Sequence, residues 1–185
     1  MQPTEAEGID VRTMQPLDSE SVRRLQVEAF GGDESIGRLL DALRGSWAWE
    51  DELSFVAVSE GRPVGHVLFT HAFLDSPSRL VDVLVMGPVG VRPEWQRRGV
   101  GSALITAALD VVGRRPESVV FVEGDPRLYT RFGFRPGAEC GFSKPSDRIP
   151  DGAFMALLMP SHEPQMTGRL VYPDAFWRED AVGLR

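Results

Sequence analysis

The stretch Val89-Gly90-Val91-Arg92-Pro93-Glu94-Trp95-Gln96-Arg97-Arg98-Gly99-Val100-Gly101-Ser102-Ala103-Leu104 constrains this chain more than any other. An apolar strand runs into a polar, basic loop, the loop carries two closely spaced glycines, and a helix opens. Helical spacing of Leu104, Ile105, Ala108, Leu109 and Val112 predicts that helix over about Gly101 to Val112. The first turn of a helix exposes unpaired N–H groups and the positive end of its dipole. Without Cβ atoms, Gly99 and Gly101 let a diphosphate come close to the backbone. Gln96, Arg97 and Arg98 add side-chain donors and charge. Arg92, Arg97, Arg98, Arg114 and Arg115 crowd this region of a chain whose net charge is −7, so a local anion site is expected. A dinucleotide fingerprint fits poorly, because Leu104 stands where its third glycine or alanine belongs.

The rest of the chain alternates in period. Ile9 to Met14 reads as a first strand, and Leu17-Asp18-Ser19-Glu20 offers helix-capping chemistry. Val22, Leu25, Gln26, Ala29 and Phe30 then follow helical spacing up to Gly31-Gly32. Asp33 to Leu43 reads as a second helix, with Ile36, Leu39, Leu40 and Leu43 on one face. Leu53 to Val58 and Pro63 to Phe69 flank a tight turn and predict a hairpin. Leu80 to Val91 is long for one strand and holds Gly87-Pro88; proline cannot donate to a ladder, so a bulge or change of partner is expected there. Ser118 to Val122 reads as a short buried strand, Pro126 to Phe132 as a short helix, and Ala153 to Met159 as a last strand before a proline-rich tail. This order describes one mixed sheet with helices on both faces, an α/β (α+β) layered domain. Residues 1–8 are expected to be a flexible N-terminus, 9–160 the domain, and 161–185 an extension packing on the domain or on a dimer partner, a homodimer being left open.

Composition excludes some function classes. No apolar run approaches the roughly 20 residues a membrane span needs, and the acidic N-terminus is unlike a secretory or transit peptide. Cys140 is a lone cysteine, which rules out an internal disulfide framework. No His, Asp and Glu spacing points to a metal. The acidic net charge argues against nucleic-acid binding, and a cytoplasmic protein is expected.

Two motifs carry a family resemblance. Gln96-Arg97-Arg98-Gly99-Val100-Gly101 resembles the Q/R-x-x-G-x-G/A motif of the GNAT N-acetyltransferase superfamily. Downstream, Leu128-Tyr129-Thr130-Arg131-Phe132-Gly133-Phe134 resembles that family's F/Y-Y-x-K/R-x-G-F segment, with Leu128 departing from the usual aromatic. The longer string from Gly124, with Phe154-Met155-Ala156-Leu157 and Val171-Tyr172-Pro173-Asp174-Ala175-Phe176, is similar to the YhbS-like group of acetyltransferases. The resemblance spans most of residues 9 to 177 and is strongest from 83 to 134. It implies an α-β-α layered domain with a central, mostly antiparallel, bulged and splayed sheet. It also implies an acetyl-CoA-dependent N-acetyltransferase, acting by direct attack in a ternary complex on an amine-bearing small molecule or peptide. A non-catalytic acyl-CoA-binding or regulatory module of the same fold is the alternative.

The resemblance further implies a cofactor site made by Val89, Gly90, Val91, Gln96, Arg97, Arg98, Gly99, Val100, Gly101 and Ser102. The backbone of Val89 to Val91 would pair with the pantetheine arm of coenzyme A as an added strand, and a nearby N–H, such as that of Val89, would meet the thioester oxygen. Tyr129 is the expected general acid, because a phenol with a pKa of about 10 suits protonation of a thiolate. Glu28 is a base candidate on the acceptor side; His66, His71, Glu123 and a relayed water stay open beside it. Trp47, Trp49 and Phe73 are candidates for the acceptor wall. Cys140 is expected to be structural.

Overall fold

The computed structural model describes residues 8–183, so all but Gly8 of the expected flexible N-terminus lies outside the described residues. Strand β1 (Asp10–Thr13) leads into helices α1 (Ser19–Ala29) and α2 (Glu34–Arg44). Strands β2 (Ser54–Ser59), β3 (Arg62–Asp75) and β4 (Leu80–Val91) follow, then α3 (Val100–Val112), β5 (Val119–Glu123) and the short α4 (Pro126–Tyr129). The chain finishes through β6 (Arg135–Pro136), β7 (Phe142–Ser143), β8 (Phe154–Leu158), β9 (Gly168–Val171) and α5 (Asp174–Arg178). The strands form one sheet in the order β1-β2-β3-β4-β5-β8-β6, with β9 pairing β3 and β7. Among the described residues only β4–β5 and β7–β9 pair in parallel, so the mixed, mostly antiparallel α/β sheet is as expected. Among the described residues no helix is long and apolar enough to cross a membrane.

Strand alternation sorts the core into two layers. Val83 and Val85 of β4 and Val119 and Phe121 of β5 face one way, into a cluster with Leu39, Leu40 and Leu43 of α2. Leu84, Met86, Val120 and Val122 face the other way, against Val100, Leu104, Ile105, Ala108 and Val112 of α3. Asp33 caps α2 by accepting from the Ser35 N–H at 2.9 Å, which sets that helix's apolar stripe onto the sheet.

The feature that positions the site is a divergence in mid-sheet. Strands β4 and β5 pair only where Leu84, Val85 and Met86 face Val120, Phe121 and Val122. Just beyond, the register of β4 against β3 slips: Met86 pairs Phe69, yet Val89 pairs Val67. Gly87-Pro88 occupies the slip, the bulge its composition predicts. From there Val89, Gly90 and Val91 keep their β3 partners, while β5 continues against β8, with Glu123 opposite Phe154. The edge of β4 that turns away from β3 therefore has no strand beside it among the described residues.

One element differs from expectation. The hairpin partner predicted over Pro63 to Phe69 runs on to Asp75, because its second half is sandwiched between β4 and β9. The proline-rich tail is structured: β9 pairs β3 through Phe73↔Val171, Leu74↔Leu170 and Asp75↔Arg169. Leu170, Tyr172, Ala175 and Phe176 then join the core cluster of α2.

Candidate active site

A cavity of about 570 Å³ fills the wedge between the diverged strands. One wall is β4 from Val85 to Val91, and the facing wall is Glu123, Gly124 and Asp125 with Leu128 and Tyr129 of α4. The α1–α2 corner, α2 and the C-terminal segment close the far side.

The sequence-predicted cofactor residues divide at the rim. Val89, Gly90, Val91 and Gln96 line the cavity. Gln96 is held there by a 3.0 Å hydrogen bond from its side-chain amide to the Val91 carbonyl. Residues 97–102 carry on beyond the rim to the start of α3. Gly99 takes a left-handed backbone (φ 83°) as the N-cap of α3, and no side chain caps that helix. The N–H groups of its first turn are thus left for an external acceptor. Val100 buries its side chain in the α3 core layer, so only its backbone can serve an anion. Arg97 and Arg98 are exposed, and the Arg98 guanidinium lies 5.4 Å from the centre of the Trp95 ring.

Tyr129 lines the opposite wall and is 9% exposed. Its ring meets Phe134 edge-on at 5.9 Å. Burial pushes its phenol pKa up, which keeps the proton on the oxygen and so suits a donor. Gly124 makes room for that ring: a Cβ there would fall 2.6 Å from Tyr129 Cε2.

The base candidates separate sharply. Glu123 lines the cavity beside Gly124 and accepts from the Gly183 N–H at 3.3 Å. Glu28 does not line it; its carboxylate is ion-paired with the buried guanidinium of Arg92, which also donates from Nε to the Pro63 carbonyl at 3.0 Å. That pairing also takes Arg92 out of the expected anion cluster. His66 is sealed in the core, and burial lowers its pKa to about 3. His71 sits away from the wedge, its Nε2 2.7 Å from Glu50. Arg115 grips the same Glu50 with two bonds of 2.7 and 2.8 Å and reaches Glu117 as well, so it too is taken up structurally.

The aromatic residues expected at the acceptor wall lie elsewhere. Trp47 and Phe73 stack on each other at 4.9 Å, and Trp49 donates from its indole N–H to Asp51 at 2.7 Å; none of the three lines the cavity. Cys140 is partly buried and burial raises its pKa, which agrees with an unreactive thiol.

Sequence reasoning missed two contributors. Gln26 is fully buried and its amide nitrogen reaches His66 and the Pro88 carbonyl, bracing the bulge. Its signal was a polar residue on an otherwise apolar helical stripe. Tyr172 and Phe176 of the C-terminal segment also line the cavity, and no local periodicity announces them.

Residues 19–134 match the model of the acetyltransferase (GNAT) family. The uncharacterized N-acetyltransferase YjhQ of Escherichia coli is 34% identical over 125 residues, covering 65% of this chain and 66% of YjhQ, just under two thirds of its length. The crystal structure of the GNAT family N-acetyltransferase YhbS from Escherichia coli, in complex with CoA, superimposes with a TM-score of 0.82 at 24% identity, over 92% of each chain. A GNAT family acetyltransferase from Brucella melitensis, in complex with acetyl-CoA, gives a TM-score of 0.73 at 26% identity, over 91% of this chain and 97% of that one.

Proposed function

The chain belongs to the acetyltransferase (GNAT) family, and from that premise we propose that it transfers the acetyl group of acetyl-CoA to an amine by direct attack in a ternary complex. The observation that carries this reading is the unpaired edge of β4, which forms one cavity wall and leads to the uncapped N-terminus of α3. An extended pantetheine arm is the right shape and hydrogen-bonding type to add along that edge. The first-turn N–H groups of Gly99 to Ser102, with Arg97 and Arg98 beside them, suit the pyrophosphate.

In this reading the residues of the wedge divide the chemistry. Glu123 takes one proton from the acceptor ammonium, which frees its lone pair. The nitrogen lone pair then attacks the thioester carbon, and the backbone N–H of Val89 stabilises the oxygen as it gains charge. When the carbon–sulfur bond breaks, the nitrogen gives up its remaining extra proton to water, and Tyr129 gives its proton to the departing thiolate and is later reprotonated from solvent. Glu28 has no part in these steps, since Arg92 holds it outside the cavity. The cytoplasm, where acetyl-CoA is supplied, is the compartment that fits this activity.

Isothermal titration with acetyl-CoA, followed by thiol-release assays across amines, tests the proposal. Micromolar binding with amine-dependent CoA release is the expected result. Binding without release for any amine would favour a binding module, and absence of binding would remove the acyl-transfer reading.

A further inference from the structure

Glu123 ends β5 and lines the cavity, yet a group that holds its carboxylate comes from much later in the chain. Its Oε2 accepts the backbone N–H of Gly183 at 3.3 Å, across 60 positions of sequence. Gly183 lines the same cavity, as do Tyr172, Phe176 and Asp180 of the segment that leads to it.

That segment is built to deliver the N–H. At the end of α5, Asp180 takes a left-handed backbone (φ 50°), and the Ala181 N–H donates to the Phe176 carbonyl at 2.8 Å, which closes the helix. Val182 then buries its side chain (1% exposed) in the α2 core cluster. Gly183 follows with φ 82° and packs its backbone on Arg148. A Cβ on Gly183 would stand 2.7 Å from Arg148 Cβ and 2.9 Å from the Arg148 carbonyl oxygen, so both the dihedral and the close approach call for glycine. Arg148 in turn ion-pairs with Asp180, and its guanidinium lies 5.8 Å from the centre of the Trp177 ring. The turn that carries Arg148 is tied by Lys144, whose ammonium donates to the Ile149 carbonyl at 2.8 Å and to Asp151 at 2.6 Å. A buried anchor before it and the Arg148 turn beside it thus aim the Gly183 N–H at Glu123.

We propose that Gly183 is a positioning residue for proton transfer, its N–H holding Glu123 Oε2 so that the carboxylate meets the acceptor ammonium already oriented. The inference rests on the acyl-transfer reading and on Glu123 as the base within it. A glutamate at a strand end turns freely about its side-chain bonds. A fixed donor on one oxygen removes that freedom before the substrate arrives, and a backbone donor needs no reorganisation as the proton moves. Burial first, and the charge of Glu123 second, push the Tyr172 phenol pKa up, so the same segment faces the carboxylate with a neutral hydroxyl rather than a second charge.

A double-mutant cycle tests the proposal. Gly183→Ala, Glu123→Gln and the double variant are assayed for CoA release from acetyl-CoA with butylamine, spermidine and a blocked lysine peptide, all alkylammonium ions at neutral pH. Gly183→Ala should lower kcat about tenfold, with the amine KM and the acetyl-CoA Kd within about twofold of the wild type. In the Glu123→Gln background the same change should alter kcat by less than about twofold, since no carboxylate remains to be held. Arg148→Gln keeps the backbone contact and removes only an exposed ion pair, so it should cost about two- to threefold in kcat, again only where Glu123 is present. It carries the cycle if Gly183→Ala does not fold. Equal losses in the two backgrounds would make the segment merely structural and overturn the inference, as would an unchanged kcat in Gly183→Ala. Full activity of Glu123→Gln would remove the base, and this inference with it, while leaving acyl transfer standing. Absence of acetyl-CoA binding, or of CoA release with all three amines, in the wild type would bring down both.

Discussion

The side-chain amide of Gln26 in α1 donates to Nδ1 of His66 in β3 at 2.7 Å. The same nitrogen donates to the carbonyls of His66 at 3.2 Å and Pro88 at 3.4 Å, which fixes its direction and makes Nδ1 an acceptor. The imidazole proton therefore sits on Nε2 and goes to Ser54 Oγ at 3.0 Å, leaving the Ser54 hydroxyl to point at the Met14 sulfur 3.4 Å away. One side chain thus ties α1 to both strands that meet at the bulge. Gly90 is part of the same fit, since a Cβ there would stand 2.5 Å from Gln26 Oε1.

Gln26→Leu keeps the volume and deletes the donors, leaving the buried His66 ring nitrogen without its partner. Stability should drop by about 2–4 kcal/mol, read from the urea midpoint. Acetyl-CoA affinity should fall as well, by about tenfold, because the bulge that presents Val89 to Val91 loses its brace. Unchanged affinity in the folded variant would separate the brace from the site.

His66 makes stability depend on pH in a defined window. Its folded pKa is lowered to about 3 by burial, from an ordinary 6.5. Between those values the unfolded chain binds a proton that the folded one does not. Stability is therefore complete above pH 6.5 and lost as pH falls toward 3, at about 1.4 kcal/mol per pH unit. Denaturant titrations of the wild type and His66→Gln at pH 7, 6 and 5 should show the wild type losing more, by about that slope between pH 6 and 5. Parallel profiles would mean the histidine charges in place.

Gly101 separates space from charge at the proposed phosphate loop. A Cβ at this position meets only Val91 Cγ2, at 3.5 Å, so Gly101→Ala should fold and bind acetyl-CoA within about threefold of the wild type. Gly101→Glu should fold equally well and, if the pyrophosphate sits at this loop as proposed, lose binding by about a hundredfold through charge repulsion. Calorimetry on both variants checks this. Equal affinities would place the diphosphate elsewhere.

Tyr129→Phe removes a hydroxyl that has no hydrogen-bond partner among the described residues, so the melting temperature should hardly move. The kcat should fall by about a hundredfold if the phenol protonates the thiolate, with the KM for acetyl-CoA little changed. Since burial raises the phenol pKa, the wild-type rate should not decline on the alkaline side until above pH 10. A fall in acetyl-CoA affinity with kcat retained would make Tyr129 a binding residue instead.

Much of the frame was legible because it is local. The apolar stripe of α2, the hairpin turn and the Gly99–Gly101 loop each follow from a few neighbouring residues. The bulge at Gly87-Pro88 was legible too, since proline lacks the ladder donor. What escaped depends on distant partners. Glu28 looks like a free carboxylate until Arg92, 64 positions away, is folded onto it. His66 and His71 are alike in sequence, yet one is sealed under α1 and the other bonded to Glu50. Strand β9 has four residues and α5 five, too few for periodicity to show; β3 and α2 give them their shape.

The wedge has a cost outside catalysis. An open strand edge presents the same unsatisfied backbone groups by which foreign chains recruit one another into aggregates, and soluble proteins usually cover or charge such edges. Here Val89 to Val91 are apolar and glycine-bearing, with the open side toward the cavity rather than the outer surface. In the proposed function, whatever occupies that edge acts as a plug as well as a reactant. Purified apoprotein should therefore cloud sooner on warming than protein held in excess CoA, and by more than the shift in melting temperature accounts for.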